Sequence, residues 1–308
     1  MVGIPGAFAR STVEREGERG AKWLAELPGI VDELLDRWGC VQDGDVMHGG
    51  VGLIVPVLRR QGPAALKVSF PHPGNVHEPD AFVAWNGGGA VQLYERDDSQ
   101  YAMLLERARP STLAASEDSD EVATVAGQLN RRLAITAPPA LPRLRDRAGE
   151  WEEQLLRDST ELPHPLPSYV VDAALATVRE LGPIQPDTLL HGDFHARNIL
   201  RADREPWLVV DPKGYAGDPA YDAGALLKVS ALTFVEAGEL ARPVRRFLDI
   251  FTEAADLDRE RTQRWSQLHL VEGAFWGRRH GFRVAPNGSE LDHFTSYADT
   301  LATLLTQH

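Results

Sequence analysis

Apolar residues near the N-terminus recur at steps of three and four positions, the spacing of one face of an α-helix. The pattern extends over residues 11–38, and its apolar members are Trp23, Leu24, Leu27, Ile30, Val31, Leu34, Leu35 and Trp38. Pro28 has no backbone N–H to donate and is followed by Gly29. We therefore expect this helix to divide into two segments at that point.

The next part of the chain alternates short apolar runs with turn residues, as antiparallel β-sheets do. Four runs predict strands: 53–58, 64–70, 90–94 and 101–106. The first two flank the turn sequence Gln61-Gly62-Pro63 and predict a hairpin. A short helix is expected at Glu78–Trp85. Together these elements predict a five-stranded antiparallel sheet with one helix, and the four runs account for four of its strands.

After Arg107 the apolar spacing becomes helical almost throughout. The expected helices are 119–134, 150–157, 168–181, 218–237, 240–255, 258–280 and 289–307. Since the change of character falls near residues 108–112, the sequence predicts two domains. Residues 1–108 hold the sheet and the leading helices, and residues 109–308 are mostly helical, so that the fold class is α+β.

Composition limits the compartment and the partners of the protein. The chain has 308 residues, 43% of them hydrophobic and 25% charged, with a net charge of −13. No apolar run approaches the roughly 20 residues that cross a membrane, and Cys40 is the only cysteine. We expect a cytoplasmic monomer that binds neither nucleic acid nor membrane, and its acidity mildly favours a cationic small-molecule partner.

The most informative polar residues lie on a loop between two apolar runs, in the segment His191–Asn198. Asp193 and Asn198 are five positions apart, and Asp211 ends the apolar run Leu208-Val209-Val210. This arrangement suits phosphoryl transfer. Asp193 would receive the proton of an acceptor hydroxyl, while Asn198 and Asp211 would hold Mg²⁺ on the phosphates.

Two other interpretations of this segment remain open. His191, Asp193 and His195 alone would suit a zinc site in a hydrolase, since imidazole and carboxylate are ordinary zinc ligands. The segment is also compatible with a polar surface turn. Neither interpretation explains why Asn198 and Asp211 stand at their positions.

A phosphate-binding lysine is expected on a strand of the first domain. Lys67 lies in the apolar run Ala64–Val68, where an ammonium is costly unless it is paired. Glu78, eleven positions later, opens the only helix expected in the sheet region and is the preferred partner, with Asp80 as the alternative. A lysine that simply faces solvent remains the competing interpretation.

Three glycines, Gly49, Gly50 and Gly52, precede the predicted hairpin. Glycine lets a backbone approach a phosphate closely and adopt positive φ, so this loop is a candidate cover for the nucleotide phosphates. A plain hairpin turn would have the same composition.

Taken together, these motifs resemble the aminoglycoside and hydroxyurea phosphotransferase family. The resemblance rests most on residues 207–214 and 217–222, and residues 104–107 and 85–93 add to it. It covers the chain from about residue 20 to the C-terminus. It implies a bilobal protein-kinase-like fold, with an antiparallel β lobe before a mostly helical lobe.

The resemblance also implies an activity. It suggests ATP- and Mg²⁺-dependent phosphorylation of a hydroxyl on a small-molecule antibiotic, with an aminoglycoside of streptomycin type as the expected acceptor. The Glu106 carbonyl and the Ala108 N–H would bind adenine, and His191 and Asp222 would support the catalytic loop.

The acceptor is the least determined part of this hypothesis. Glu272 and Trp276 are four positions apart on a predicted helix and would share a face, which suits a cationic guanidino-sugar. A core tryptophan with a solvated glutamate is an equal alternative. A neutral acceptor such as hydroxyurea, or a nucleotide-binding pseudokinase without activity, also remains possible, although Lys67, Asp193 and Asp211 are all present.

Overall fold

The computed structural model describes residues 2–163, 165–231, 234, 240–280 and 288–306, with backbone alone for 288–294. The chain forms two compact units. Unit 1 comprises the residues up to Pro110 together with Ala202–Lys213, and unit 2 comprises Ser111–Arg201 and the chain from Gly214 onward. The expected division at residue 108 placed Ala202–Lys213 in the second domain, whereas here it belongs to unit 1.

Unit 1 begins with helix α1, Gly6–Arg37, which is broken at Gly17 (φ 61°, ψ −136°). Glycine reaches this backbone conformation without a steric penalty. Pro28 lies inside the helix without breaking it, so the predicted division at Pro28-Gly29 is wrong. Leu27 and Val31 on either side are fully buried, and this packing holds the helix across Pro28 despite one missing hydrogen bond.

The sheet of unit 1 has six strands instead of the expected five. They are β1 Cys40–Gln42, β2 Met47–His48, β3 Gly52–Arg59, β4 Gly62–Ser69, β5 Leu93–Asp97 and β6 Ala102–Glu106. Their order is β1-β3-β4-β6-β5, with β2 also pairing β3, and every pair is antiparallel. Neither of the two shortest strands lies in one of the four predicted runs, because β2 is wholly exposed and β1 largely so, leaving little apolar periodicity.

The predicted hairpin and helix of unit 1 are present. The β3–β4 register joins Leu53 to Val68 and Val55 to Leu66, and all four side chains are fully buried. Helix α2 spans Glu78–Trp85, as the sequence predicted. β5 starts three residues later than expected, because Ala90 bridges to Val209 instead.

Unit 2 is mostly helical. Its helices are α3 Ser119–Leu133, α4 Ala148–Glu161, α5 Ser168–Leu181, α6 Asp222–Ser230, α7 Ala241–Ala255, α8 Arg259–His280 and α9 Gly288–Leu304. Three further short strands follow α5 in this unit: β7 Thr188–Leu190, β8 Ile199–Arg201 and β10 Tyr215–Gly217, with β9, Trp207–Val209, in unit 1. β7 and β10 pair antiparallel. None of the described helices combines the length and apolar character of a membrane span.

The helix predicted at 218–237 begins differently. Asp218 caps a single 3-10 turn, Pro219–Tyr221, by accepting a hydrogen bond from the Ala220 N–H, and α6 starts only at Asp222. Apart from Phe234, the predicted part beyond residue 231 lies outside the described residues. Trp265, fully buried on α8, donates its indole N–H to Asp218 at 3.0 Å. This contact anchors the turn that leads to Asp222.

Candidate active site

In unit 1, Lys67 lies between two carboxylates. Its Nζ is 2.5 Å from Glu78 Oε1 and 2.7 Å from Asp211 Oδ1. Burial opposes the charge of Lys67, but Asp211 and Glu78 outweigh it and raise the pKa of the ammonium, which stays charged. Asp80, the alternative partner, instead pairs with Arg96 and His77.

Asp211 follows strand β9 and has a left-handed backbone, with φ 60°. Such a conformation is uncommon outside glycine and is found often at active sites. Its side chain is 40% exposed, so the carboxylate that contacts Lys67 is still accessible to a ligand. Two residues later, Lys213 Nζ is 3.5 Å from the Asn75 side-chain oxygen, a position that the sequence did not indicate.

Two of the three candidate glycines, Gly52 and Gly49, lie beside Lys67 and Asp211 respectively. A Cβ at Gly52 would be 2.9 Å from Ser69 Oγ and 3.4 Å from Lys67 Cε, so a side chain there would need these groups to move. A Cβ at Gly49 would be 3.8 Å from Asp211 Oδ2. The loop therefore brings bare backbone next to the charged residues, which suits contact with phosphates.

Glu106, at the end of β6, is held by a residue that the sequence analysis missed. Arg204 donates to both carboxylate oxygens of Glu106, at 2.8 to 3.1 Å, and also to the carbonyls of Gly87 and Ala90. The Glu106 carboxylate also accepts the Gln92 N–H at 3.0 Å. These hydrogen bonds of Arg204 hold the C-terminal end of β6, where the sequence analysis expected contacts to adenine. Its local sequence resembles an ordinary surface turn and gave no signal.

In unit 2, the catalytic-loop candidate connects β7 to β8. The Asp193 carboxylate is 42% exposed, and its Oδ1 is 3.6 Å from His195 Nε2. The Asn198 side-chain amide donates to the Asp193 carbonyl at 3.0 Å, which closes the loop on itself. The Asp193 side chain is therefore exposed to solvent, while the Asn198 side chain holds the backbone of the loop.

Asp222 holds the other end of this loop. Its carboxylate accepts the N–H of His191 at 2.9 Å and the N–H of Gly192 at 2.8 Å. His191 is fully buried, and its ring Nδ1 accepts the Asp193 N–H at 3.3 Å. Burial, against the effect of the two backbone hydrogen bonds, raises the pKa of Asp222 from 3.8 to about 7.

This pKa gives a pH-dependent prediction. The native state binds the Asp222 proton more tightly than the unfolded state, so its contribution to stability is complete near pH 4 and is lost as the pH rises to about 7. Denaturant unfolding should show the stability of wild type falling relative to Asp222→Asn over that range, by at most roughly 4 kcal/mol. Parallel pH profiles for the two proteins would contradict the buried, proton-binding Asp222.

Each unit has a side-chain oxygen of the kind that binds magnesium. Among the described residues, no three His, Cys, Asp or Glu side chains are grouped as a metal site. Mg²⁺ is commonly held by one or two protein oxygens together with substrate phosphates and water. The accessible Asp211 carboxylate is a donor of that kind in unit 1, and the side-chain amide of Asn198 carries such an oxygen in unit 2.

The acceptor candidates lie on α8 of unit 2. Trp276 is 39% exposed, and its ring stacks on His280 at 4.8 Å. Burial raises the pKa of Glu272, while Lys228 and Arg147 act in the opposite direction. Cationic side chains of the protein itself therefore act on Glu272, which the sequence did not indicate.

The chain has sequence relatives among known proteins. The sequence profile described as "Aminoglycoside/hydroxyurea antibiotic resistance kinase" matches residues 37–281. The streptomycin 6-kinase of Streptomyces griseus is 37% identical over 288 residues, covering 92% of this chain and 94% of the relative. The hydroxyurea phosphotransferase of Kitasatospora aureofaciens is 34% identical over 295 residues, covering 93% and 83%.

Solved structures confirm the expected protein-kinase-like fold. Choline kinase LicA from Streptococcus pneumoniae has a TM-score of 0.56 and 14% identity, covering 90% of this chain and 99% of its own. A thermostable mutant of the aminoglycoside phosphotransferase APH(4)-Ia, in complex with ADP and hygromycin B, has a TM-score of 0.57 and 12% identity, covering 89% of this chain and 97% of its own. Because two of the sequence relatives are streptomycin 6-kinases, the protein is a phosphotransferase that acts on a hydroxyl group. The chain belongs to the aminoglycoside/hydroxyurea antibiotic resistance kinase family.

Proposed function

We propose that the protein transfers a phosphoryl group from Mg²⁺-ATP to a hydroxyl of an aminoglycoside of streptomycin type and thereby gives resistance to it. The observation that carries the proposal is the buried Lys67 with its two carboxylate partners, Glu78 and Asp211. Two streptomycin 6-kinases, at 37% and 38% identity over more than nine-tenths of the chain, support the choice of acceptor.

Each residue has one task in the proposed reaction. The Asp193 carboxylate orients the acceptor hydroxyl and takes its proton as the oxygen attacks. Asn198 and Asp211 hold Mg²⁺, which neutralises phosphate charge when bound. Lys67, kept in place by Glu78, binds phosphate oxygens of the nucleotide.

The nucleotide base and the phosphates have separate binding groups. In the proposal, the Glu106 carbonyl and the Ala108 N–H bind adenine, and Arg204 keeps that strand end in place. The loop of Gly49, Gly50 and Gly52 provides backbone for the phosphates, with Gly52 next to Lys67 and Gly49 next to Asp211. We further propose that the protein works as a cytoplasmic monomer.

A second acceptor class has its own support. The hydroxyurea phosphotransferase relative is 34% identical over nearly the same length. In addition, Lys228 and Arg147 counteract the charge of Glu272, which weakens its attraction for a cationic sugar. A neutral hydroxyl compound is therefore the alternative acceptor.

Steady-state kinetics with Mg²⁺-ATP distinguish these proposals. We expect kcat/KM for streptomycin to exceed that for hydroxyurea by at least about 100-fold, because a site that binds specific polar groups discriminates strongly against compounds that lack them. The reverse order would move the assignment to the neutral acceptor. Turnover of neither compound, in a protein that binds ATP, would favour a pseudokinase or an unrelated metabolite.

Salt dependence tests the role of Glu272. A cationic acceptor attracted by the carboxylates of the protein should show a KM that rises between low and physiological salt, because salt screens charges beyond about 8–10 Å. Glu272→Gln should raise that KM by a further factor of about 2 to 5, the value of one modest ion pair. Glu260→Gln, on the first turn of the same helix and paired with Arg264, is the matched control. Equal KM values for the two variants would remove Glu272 from the acceptor site.

A further inference from the structure

The first part of α1, residues 6–16, folds back on the rest of the helix and is called the arm here. The arm lies outside the family match at residues 37–281. The reversal occurs at Gly17, whose φ of 61° and ψ of −136° are unfavourable for any other residue. A Cβ at Gly20 would lie 2.8 Å from the Thr12 carbonyl. The arm therefore packs closely against the helix that follows it.

The arm is anchored on the sheet beside the glycine loop. Phe8 is fully buried, and its ring lies 6.0 Å from Trp23 and 5.3 Å from His48, the residue before Gly49. Trp23 in turn packs edge-on against Phe70 at 5.5 Å. Because aromatic contacts of this kind bury large surfaces, the arm is a fixed part of unit 1.

Arg15 connects the arm to the loop itself. Its guanidinium donates to the Gly50 carbonyl at 2.9 Å and to Glu16 at 2.7 Å, and its side chain is only 27% exposed. The next carbonyl, of Val51, accepts the Phe70 N–H at 2.8 Å. Both carbonyls of the loop tip thus have donors from outside the loop.

The N–H groups of the loop tip, unlike its carbonyls, have no hydrogen-bond partner in the described part of the chain. Within the described part of the chain, neither the Gly50 nor the Val51 N–H donates a hydrogen bond, whereas the Gly49 N–H donates to Gly52 at 2.9 Å. The Gly50–Val51 peptide bond is trans, so the Gly50 oxygen and the Val51 N–H point in opposite directions. By holding that oxygen, Arg15 fixes the direction of the Val51 N–H.

We propose that Arg15 is a positioning residue that holds the Gly50–Val51 peptide with its N–H directed at the phosphates of the bound nucleotide. The inference rests on the proposed function, since it takes ATP as the ligand beside Lys67 and Asp211. A backbone N–H fixed in advance gains affinity, because the loop pays less conformational entropy when the phosphates bind. The arm thereby becomes part of the nucleotide site although it touches no nucleotide atom.

Arg15→Gln tests this inference, with Arg10→Gln as the matched control, since Arg10 is exposed on the same arm. We expect Arg15→Gln to weaken Mg²⁺-ATP binding by about 3- to 10-fold in calorimetry and to raise KM for ATP equally, with kcat and the acceptor KM unchanged. Arg15→Lys, which keeps a cationic donor, should restore most of the affinity. Arg10→Gln should match wild type.

A second readout needs no nucleotide. In the ATP-free protein, exchange of the Gly49 amide hydrogen, which the bond to Gly52 protects, should be at least about three times faster in Arg15→Gln. Gly17→Ala, which strains the reversal, should weaken ATP binding as Arg15→Gln does, and the two changes together should be no worse than Gly17→Ala alone.

The outcomes separate the inference from the function on which it rests. If wild type binds Mg²⁺-ATP and Arg15→Gln binds it equally well, or if Gly49 exchange is unchanged, Arg15 has no positioning role. A fall in melting temperature without a change in ATP affinity would show a purely structural arm and would likewise overturn the inference. If wild type itself binds no ATP, the proposed function fails.

Discussion

Replacing Asp193 with Asn should lower kcat by about 10²- to 10⁴-fold, the usual contribution of a positioned general base. The amide has nearly the same shape but cannot take the hydroxyl proton. The Asn198 and His191 contacts of the loop use the backbone of residue 193, so the loop should keep its structure. Steady-state kinetics should show the loss in kcat, while calorimetry shows ATP affinity within about twofold of wild type.

A matched control for Asp193 is Asp187, a surface carboxylate of the same unit that pairs with Arg143 and is 54% exposed. Asp187→Asn should turn over at the wild-type rate. If Asp193→Asn keeps more than a third of the wild-type kcat, another group accepts the proton and the assignment of Asp193 is wrong.

Replacing Asp211 with Ala should abolish the part of the ATP-induced stabilisation that depends on magnesium. With ATP at about 100 times its Kd, wild type should gain roughly 2.7 kcal/mol of stability. The gain should be larger with Mg²⁺ than with EDTA, because the metal links the carboxylate to the phosphates. In Asp211→Ala the two conditions should give the same melting temperature.

The control for Asp211 is Asp203→Ala, which removes an exposed carboxylate of the same segment that pairs with Arg109. It should keep the full difference between Mg²⁺ and EDTA. A difference that survives unchanged in Asp211→Ala would place the metal on other residues.

The parts of the structure that could be predicted from sequence depend on local patterns. The β3–β4 hairpin and α2 could be predicted because the apolar spacing that indicates each of them involves residues close together in sequence. The contact between Lys67 and Glu78 could also be predicted. A lysine in an apolar strand needs a charged partner, and only one expected helix in the sheet region could supply it.

The parts that could not be predicted depend on contacts that are distant in sequence. Arg204 is hydrogen-bonded to Glu106, 98 positions away in sequence, and Arg15 to Gly50, 35 positions away. The residues next to each arginine show no pattern that indicates these contacts. Pro28 was misjudged for a related reason, because burial of its neighbours outweighed the local preference for a helix break. Likewise, the sequence alone gave no sign that the first helix reverses at Gly17.

Mass spectrometry of the acceptor after incubation with Mg²⁺-ATP shows directly whether the protein phosphorylates streptomycin. We expect that wild type adds one phosphoryl group to streptomycin, that a matching amount of ADP appears, and that Asp193→Asn adds almost none in the same time. An unmodified acceptor for streptomycin, other aminoglycosides and hydroxyurea alike, from a protein shown to bind ATP, would contradict the proposed function.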